Sequence, residues 1–139
     1  MTGTFEHKID AKGRLFIPST LRDELGEVFR VTISDEDCLN AFPGDSWERF
    51  IEQYSAMPMS QKRKLRAYFS NAARCELDSQ GRFLLPQKLR DRVGLKKDVT
   101  VVGAGTFVQL WDTEKFKRID ELESTPENLA DVMDELDFF

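Results

Sequence analysis

The feature that most restricts how this chain can fold is that it states one plan twice. Residues 5–26, FEHKIDAKGRLFIPSTLRDELG, return as residues 73–94, ARCELDSQGRFLLPQKLRDRVG, without a gap. Asp10, Gly13, Arg14, Pro18, Leu21, Arg22, Asp23 and Gly26 recur as Asp78, Gly81, Arg82, Pro86, Leu89, Arg90, Asp91 and Gly94. The positions between them keep their character, with Ile9/Leu77, Leu15/Phe83, Phe16/Leu84 and Ile17/Leu85 apolar in both copies. Such a repeat implies pseudo-symmetry, and symmetric proteins tend to meet symmetric or repeated partners. Each copy is near the size at which a lone module is only marginally stable. The expectation is therefore one compact domain over 1–139, built of repeats at 5–72 and 73–139 that share a single core.

Within each copy the pattern alternates short strands with helices. Phe5–Ile9 reads as a strand and Asp10–Gly13 as a polar turn, where aspartate can bond its own backbone and glycine can take a positive φ. Arg14–Ile17 reads as a second strand. Pro18 then opens a short helix to Leu25, which Gly26 closes. Strands follow at Val28–Ser34 and Leu39–Phe42. The second copy repeats this with strands at Ala73–Leu77, Arg82–Leu85, Val99–Val102 and Phe107–Trp111, and a helix from Pro86 closed by Gly94. Helices end each repeat: Trp47–Ser55 capped by Asp45 or Ser46, Ser60 to about Asn71, Glu114–Leu122 capped by Thr113, and a last one from Thr125-Pro126. The class is α+β, in the order β-β-α-β-β-α-α, twice.

Net charge is −5, which looks wrong for a partner such as DNA, but the average hides a gradient. Residues 119–139 hold eight acids and no lysine or arginine; 20 bases against 17 acids remain in residues 1–118, a balance of +3. The segment QKRKLRAYFSNAAR (61–74) carries five bases and no acid. Its Lys62, Arg63, Lys64 and Arg66 suit phosphate contacts equally with the solvated side of an amphipathic helix. The acidic end reads as an amphipathic helix that packs on a neighbour, or as a segment that repels DNA. No run approaches the roughly 20 apolar residues of a membrane span. The opening MTGTFEHKID has neither the basic start nor the apolar stretch of a signal peptide, which makes the cytoplasm the expected compartment. Cys38 and Cys75 read as packing residues, and with one histidine, His7, no metal spacing presents itself.

The strongest constellation is Asp10-x-x-x-Arg14 with its copy Asp78-x-x-x-Arg82, each straddling a tight turn. Arginine offers five donors in a planar fork suited to phosphate or to the O6/N7 edge of guanine. An aspartate across the turn can hold that fork in place. The same pair can equally be a structural ion pair fixing a hairpin. Lys12 and Gln80, long polar residues at the two tips, favour recognition. Arg22-Asp23 and Arg90-Asp91 read as structural, at helix ends where the dipole favours a cation. A glycine-rich phosphate loop and a nucleophile elbow are both missing from the sequence. Neither an enzyme nor a cofactor or small-molecule ligand is expected.

The motif D-x-K-G-R-L-x-x-P, followed some 68 residues later by D-x-x-G-R-x-x-x-P, resembles the MraZ family. The resemblance extends to G-T-F near the start, C-L-x-x-F-P-x-x-x-W (Cys38–Trp47), the basic helix, and V-G…L-W-D (Val102–Asp112). It implies AbrB-like swapped-hairpin modules sharing one barrel core, with helices outside. It also implies a nucleoid-associated bacterial transcriptional regulator, usually a repressor, encoded at the head of the division and cell-wall gene cluster. Such proteins form homo-oligomeric rings on double-stranded DNA, at direct repeats in their own promoter. Carried over by motif, the DNA-binding residues are Asp10, Arg14, Asp78 and Arg82, joined by Lys12 and Gln80 at the tips and by Lys8 as a phosphate contact. Ser79-Gln80 in place of Ala11-Lys12 points to the first copy as the dominant reader. A ring-forming scaffold that binds an acidic protein is the alternative.

Overall fold

The computed structural model describes residues 1–137; the expected end of the second repeat at residue 139 lies outside them. The first repeat runs β1 (Thr4–Lys8), β2 (Arg14–Phe16), α1 (Ser19–Leu25), β3 (Val28–Ile33), β4 (Leu39–Pro43), α2 (Gly44–Ser55), α3 (Met59–Lys64) and α4 (Arg66–Ser70). The second runs β5 (Ala73–Glu76), β6 (Arg82–Leu84), α5 (Gln87–Arg92), β7 (Asp98–Gly103), β8 (Val108–Asp112), α6 (Thr113–Glu123) and α7 (Pro126–Met133).

The strands interleave the repeats. The main sheet is antiparallel, in the order β1-β7-β8-β4-β3-β5, and β2 pairs with β6 in a separate two-stranded ribbon. Only β3–β4 and β7–β8 pair within a repeat. Strand β1 is hydrogen-bonded to β7 of the second copy, and β5 of the second copy to β3 of the first, while β4–β8 and β2–β6 join equivalent strands. The result is a six-stranded sheet with open edges at β1 and β5 rather than one closed barrel. The ribbon strands are three residues long and pair with each other, outside that sheet.

Alternation along the ribbon explains its place. Leu15 and Phe83 point inward and are fully buried, while Arg14, Phe16, Arg82 and Leu84 occupy the other face. One apolar cluster takes Leu15, Ile17, Leu21 and Phe29 from the first repeat with Phe83, Leu85, Leu89 and Val99 from the second. Phe29 and Phe83 meet edge to face, with ring centroids 5.0 Å apart; such pairs add about 0.5–1.5 kcal/mol beyond area burial.

Helix ends differ from the sequence expectation in detail. Helix α2 begins at Gly44 behind Pro43, and the Asp45 carboxylate takes the Ser46 N–H inside the first turn. Asp112, not Thr113, caps α6 by accepting from the Lys115 N–H at 3.2 Å, which frees Thr113 to hydrogen-bond Thr100 across the core at 2.9 Å. The single helix expected from Ser60 to Asn71 is two, broken at Leu65 (φ −97°, ψ 2°). The break lets Tyr68 and Phe69 stack on α2, with Phe69 4.4 Å from Tyr54 and 5.5 Å from Trp47, while the Tyr68 carbonyl takes the Thr32 hydroxyl.

Candidate nucleic-acid interface

Each motif builds the same turn. In the first, the Asp10 N–H donates to the Arg14 carbonyl and the Gly13 N–H to the Asp10 carbonyl, both at 3.0 Å. Asp10 Oδ1 accepts the N–H groups of Lys12 (3.0 Å) and Arg14 (2.9 Å), and Oδ2 accepts Arg14 Nε at 2.8 Å. In the second, Asp78 Oδ1 accepts from Gln80 (2.9 Å) and Arg82 (3.0 Å), and Oδ2 from Arg82 Nε at 3.2 Å. The spacing follows from this geometry. One carboxylate closes the turn and grips the arginine only if the chain reverses between them, and Gly13 (φ 82°) and Gly81 (φ 77°) provide that reversal. The backbone N–H donated by Arg14 is the main cause that holds the Asp10 carboxyl below the usual carboxylate range; the Arg82 N–H does the same for Asp78.

Each turn is braced by the other repeat. The Gly81 carbonyl accepts the Ile17 N–H at 2.9 Å, and the Gly13 carbonyl the Leu85 N–H at 3.0 Å. Arg22 donates Nε to the Ile17 carbonyl at 2.7 Å, lies 4.6 Å over the Phe16 ring, and covers the space a side chain at Gly81 would need. Arg90 donates to the Leu85 carbonyl at 3.0 Å and closes on Gly13 in the same way. The recurring Arg22 and Arg90 thus act as struts between repeats.

Pairing of β2 with β6 then brings the two motifs together. Arg14 stands opposite Leu84, and Arg82 opposite Phe16. Both arginines are therefore on one face of one ribbon, at diagonal positions that in antiparallel strands are about 7–8 Å apart. Their Nε atoms are held, and among the described residues their terminal amino groups make no hydrogen bond to protein. Lys12 and Gln80 are exposed at opposite tips. Lys8 is different: on β1, its Nζ is 3.8 Å from Asp98, so it is not a free cation. The basic residues of α3 and α4 lie outside this ribbon, on the helices that pack against α2.

This chain matches the family model described as "MraZ protein, putative antitoxin-like" twice, over residues 1–67 and 68–135. The chain belongs to the MraZ family. Proteins called "Transcriptional regulator MraZ" are similar to it along most of its length. The one from Heliobacterium modesticaldum is 41% identical over 122 residues, covering 86% of this chain and 85% of that protein. The one from Lachnoclostridium phytofermentans is 38% identical over 139 residues, covering 99% and 95%. The one from Carboxydothermus hydrogenoformans is 44% identical over 115 residues, covering 81% and 80%.

Two features of the MraZ ribbon escaped the sequence reading. Leu84, read only as an apolar position of the repeat, is 62% exposed beside the arginines, where alternation from buried Phe83 turns it outward. The cross-repeat bracing leaves no local trace, because pairing partners are set by tertiary register. The cysteines are packed as expected: burial pushes the Cys38 thiol up to about 12 and Cys75 to about 11, far from thiolate reactivity. Among the described residues no three His, Cys, Asp or Glu side chains are placed to hold a metal ion, and no helix is long and apolar enough to cross a membrane.

Proposed function

We propose that this chain is a DNA-binding transcriptional regulator, non-enzymatic, that reads double-stranded DNA with the β2–β6 ribbon. The observation that carries this reading is the pair of aspartate-held arginines on one outward face. A two-stranded ribbon fits the major groove, and an arginine whose Nε is already held loses less side-chain freedom when its terminal amino groups meet guanine or phosphate. Arg14 with Lys12 and Arg82 with Gln80 are the contacts, Asp10 and Asp78 orient them, and Leu84 is suited to a thymine methyl group. Lys8 takes a lesser phosphate role, since Asp98 competes for it.

In this reading the interleaved strands are an AbrB-like swapped-hairpin pair, and both repeats unfold as one unit. One ribbon makes few contacts, so copies assemble in a ring that engages direct repeats in the chain's own promoter, upstream of the division and cell-wall genes. Linking sites in this way raises avidity by about 10²–10⁴ where the geometry permits. The protein acts as a repressor in the cytoplasm, at the nucleoid. Its relatives' printed name, transcriptional regulator, supports the reading.

The test is a mobility shift with DNA from upstream of the gene beside a scrambled duplex, repeated over a salt series. The expected result is retardation of the upstream DNA alone, weakening steeply with salt. Equal binding to both duplexes, or a flat salt response, overturns the proposal in favour of a scaffold with protein partners.

A further inference from the structure

The two repeats end differently. In the first, α3 and α4 fold back and stack Tyr68 and Phe69 on α2. In the second, α7 leaves its apolar stripe uncovered: Leu129 and Val132 are each more than half exposed, as is Leu136 just past its end, and Leu122 at the end of α6 is 77% exposed. Leu129, Val132 and Met133 fall at i, i+3 and i+4 on one face of α7, and Leu136 lies in the turn just past its end. Acids surround that stripe, with Glu127, Asp131, Asp134, Glu135 and Asp137 and no base.

A matching surface lies on the first repeat. A groove of about 400 Å³ is lined by Ile33, Phe50, Leu65, Ala67, Tyr68 and Asn40. Lys64 and Asp35 also line it, and Lys62, Arg63 and Arg66 add positive charge along α3 and α4. Asn40 is buried, yet among the described residues its Oδ1 has no hydrogen-bond partner.

We propose that α7 of one copy docks in the α3–α4 groove of the next, apolar stripe inward and acids against Lys62, Arg63, Lys64 and Arg66. The occupant is a second copy because the chain itself carries a complement in both shape and sign: an acidic helix with an apolar face, and an apolar groove flanked by the basic α3 and α4. The two surfaces are different patches, so the contact is head-to-tail. Such contacts close into rings or run on as filaments, and do not stop at a twofold dimer. The inference rests on the self-association proposed above and is independent of DNA recognition.

The experiment measures mass in solution by light scattering, with circular dichroism confirming the fold of each variant. Leu129→Asp/Val132→Asp alters only exposed tail positions, and Lys64→Glu/Ala67→Arg only exposed groove positions. Wild-type chain is expected as a multimer and each variant alone as a folded monomer. Mixed, the two variants are expected to form a 1:1 heterodimer and nothing larger, because one intact groove and one intact tail remain. Multimers persisting in either variant overturn this interface while leaving self-association standing. Monomeric variants that fail to pair on mixing overturn the head-to-tail arrangement. A monomeric wild type at every concentration removes self-association and this interface together.

Discussion

The turns at Asp10–Arg14 and Asp78–Arg82 share one backbone and present different chemistry. Each carboxylate closes its turn with two backbone N–H groups and grips an arginine Nε, and each aspartate–arginine pair is about one-third exposed. The grip is shorter in the first, 2.8 Å against 3.2 Å. Around it, the first turn offers Lys12 beside the bare Leu84 of the other repeat, whereas the second offers Gln80 beside a Phe16 ring covered by Arg22. Duplication has thus kept the residues that set the geometry and let those that meet a partner drift. The Asp-x-x-Gly-Arg frame dictates shape; the tip residues set what the shape can recognise.

The comparison can be broken most forcefully at the arginines. Arg14→Ala should lose about 1–3 kcal/mol of DNA affinity per engaged ribbon, compounding across an assembly, and Arg82→Ala should lose less, with thermal melts of both near wild type. Quantitative mobility shifts on the upstream DNA decide it; equal losses would make the two turns equivalent readers. Next come the glycines. Alanine at a positive φ costs about 1–3 kcal/mol, and Gly81→Ala should cost more than Gly13→Ala. A Cβ at Gly81 meets the body of the anchored Arg22 guanidinium, whereas at Gly13 it meets the far end of Arg90, at 2.8 Å. Denaturant midpoints give the order.

Smaller effects sharpen the difference at the tips. Lys12→Gln should reduce the salt slope of DNA binding by about 1, and Gln80→Lys should raise it by a similar amount. Unchanged slopes in both would remove the tips from the phosphate contacts. Last is pH. The Asp10 and Asp78 carboxyls are held below their ordinary range in the fold, so their contribution is complete above the unfolded value near 4 and is lost as pH falls through the depressed folded values. Denaturant midpoints should fall as the pH drops below about 4, and Asp10→Asn/Asp78→Asn should flatten that dependence.

Much of this was legible in the sequence where the determinants are local. The repeat is written in the chain itself, and the Asp–Gly–Arg turns and the Thr125 cap on α7 follow from residues within four positions of one another. What the sequence did not disclose depends on partners far along the chain. The break at Leu65 exists because Tyr68 and Phe69 must reach α2. The shared face of Arg14 and Arg82 exists because β2 pairs with β6, and Leu84 is exposed because the ribbon's other face is spent on Leu15 and Phe83. The resemblance implied a shared barrel core; the described strands form a sheet that is not closed, beside a separate ribbon.

The pairing of β1 with β7 also constrains how the molecule is made. Thr4 lies opposite Val102, so β1 has no partner until nearly a hundred further residues have been added. At roughly 5–20 residues per second, that is a wait of about five to twenty seconds. Strand β3 likewise lacks its outer neighbour until β5 is translated. Nascent chains therefore carry unpaired strand edges through most of their synthesis, and the first repeat cannot finish folding before the second has begun to emerge.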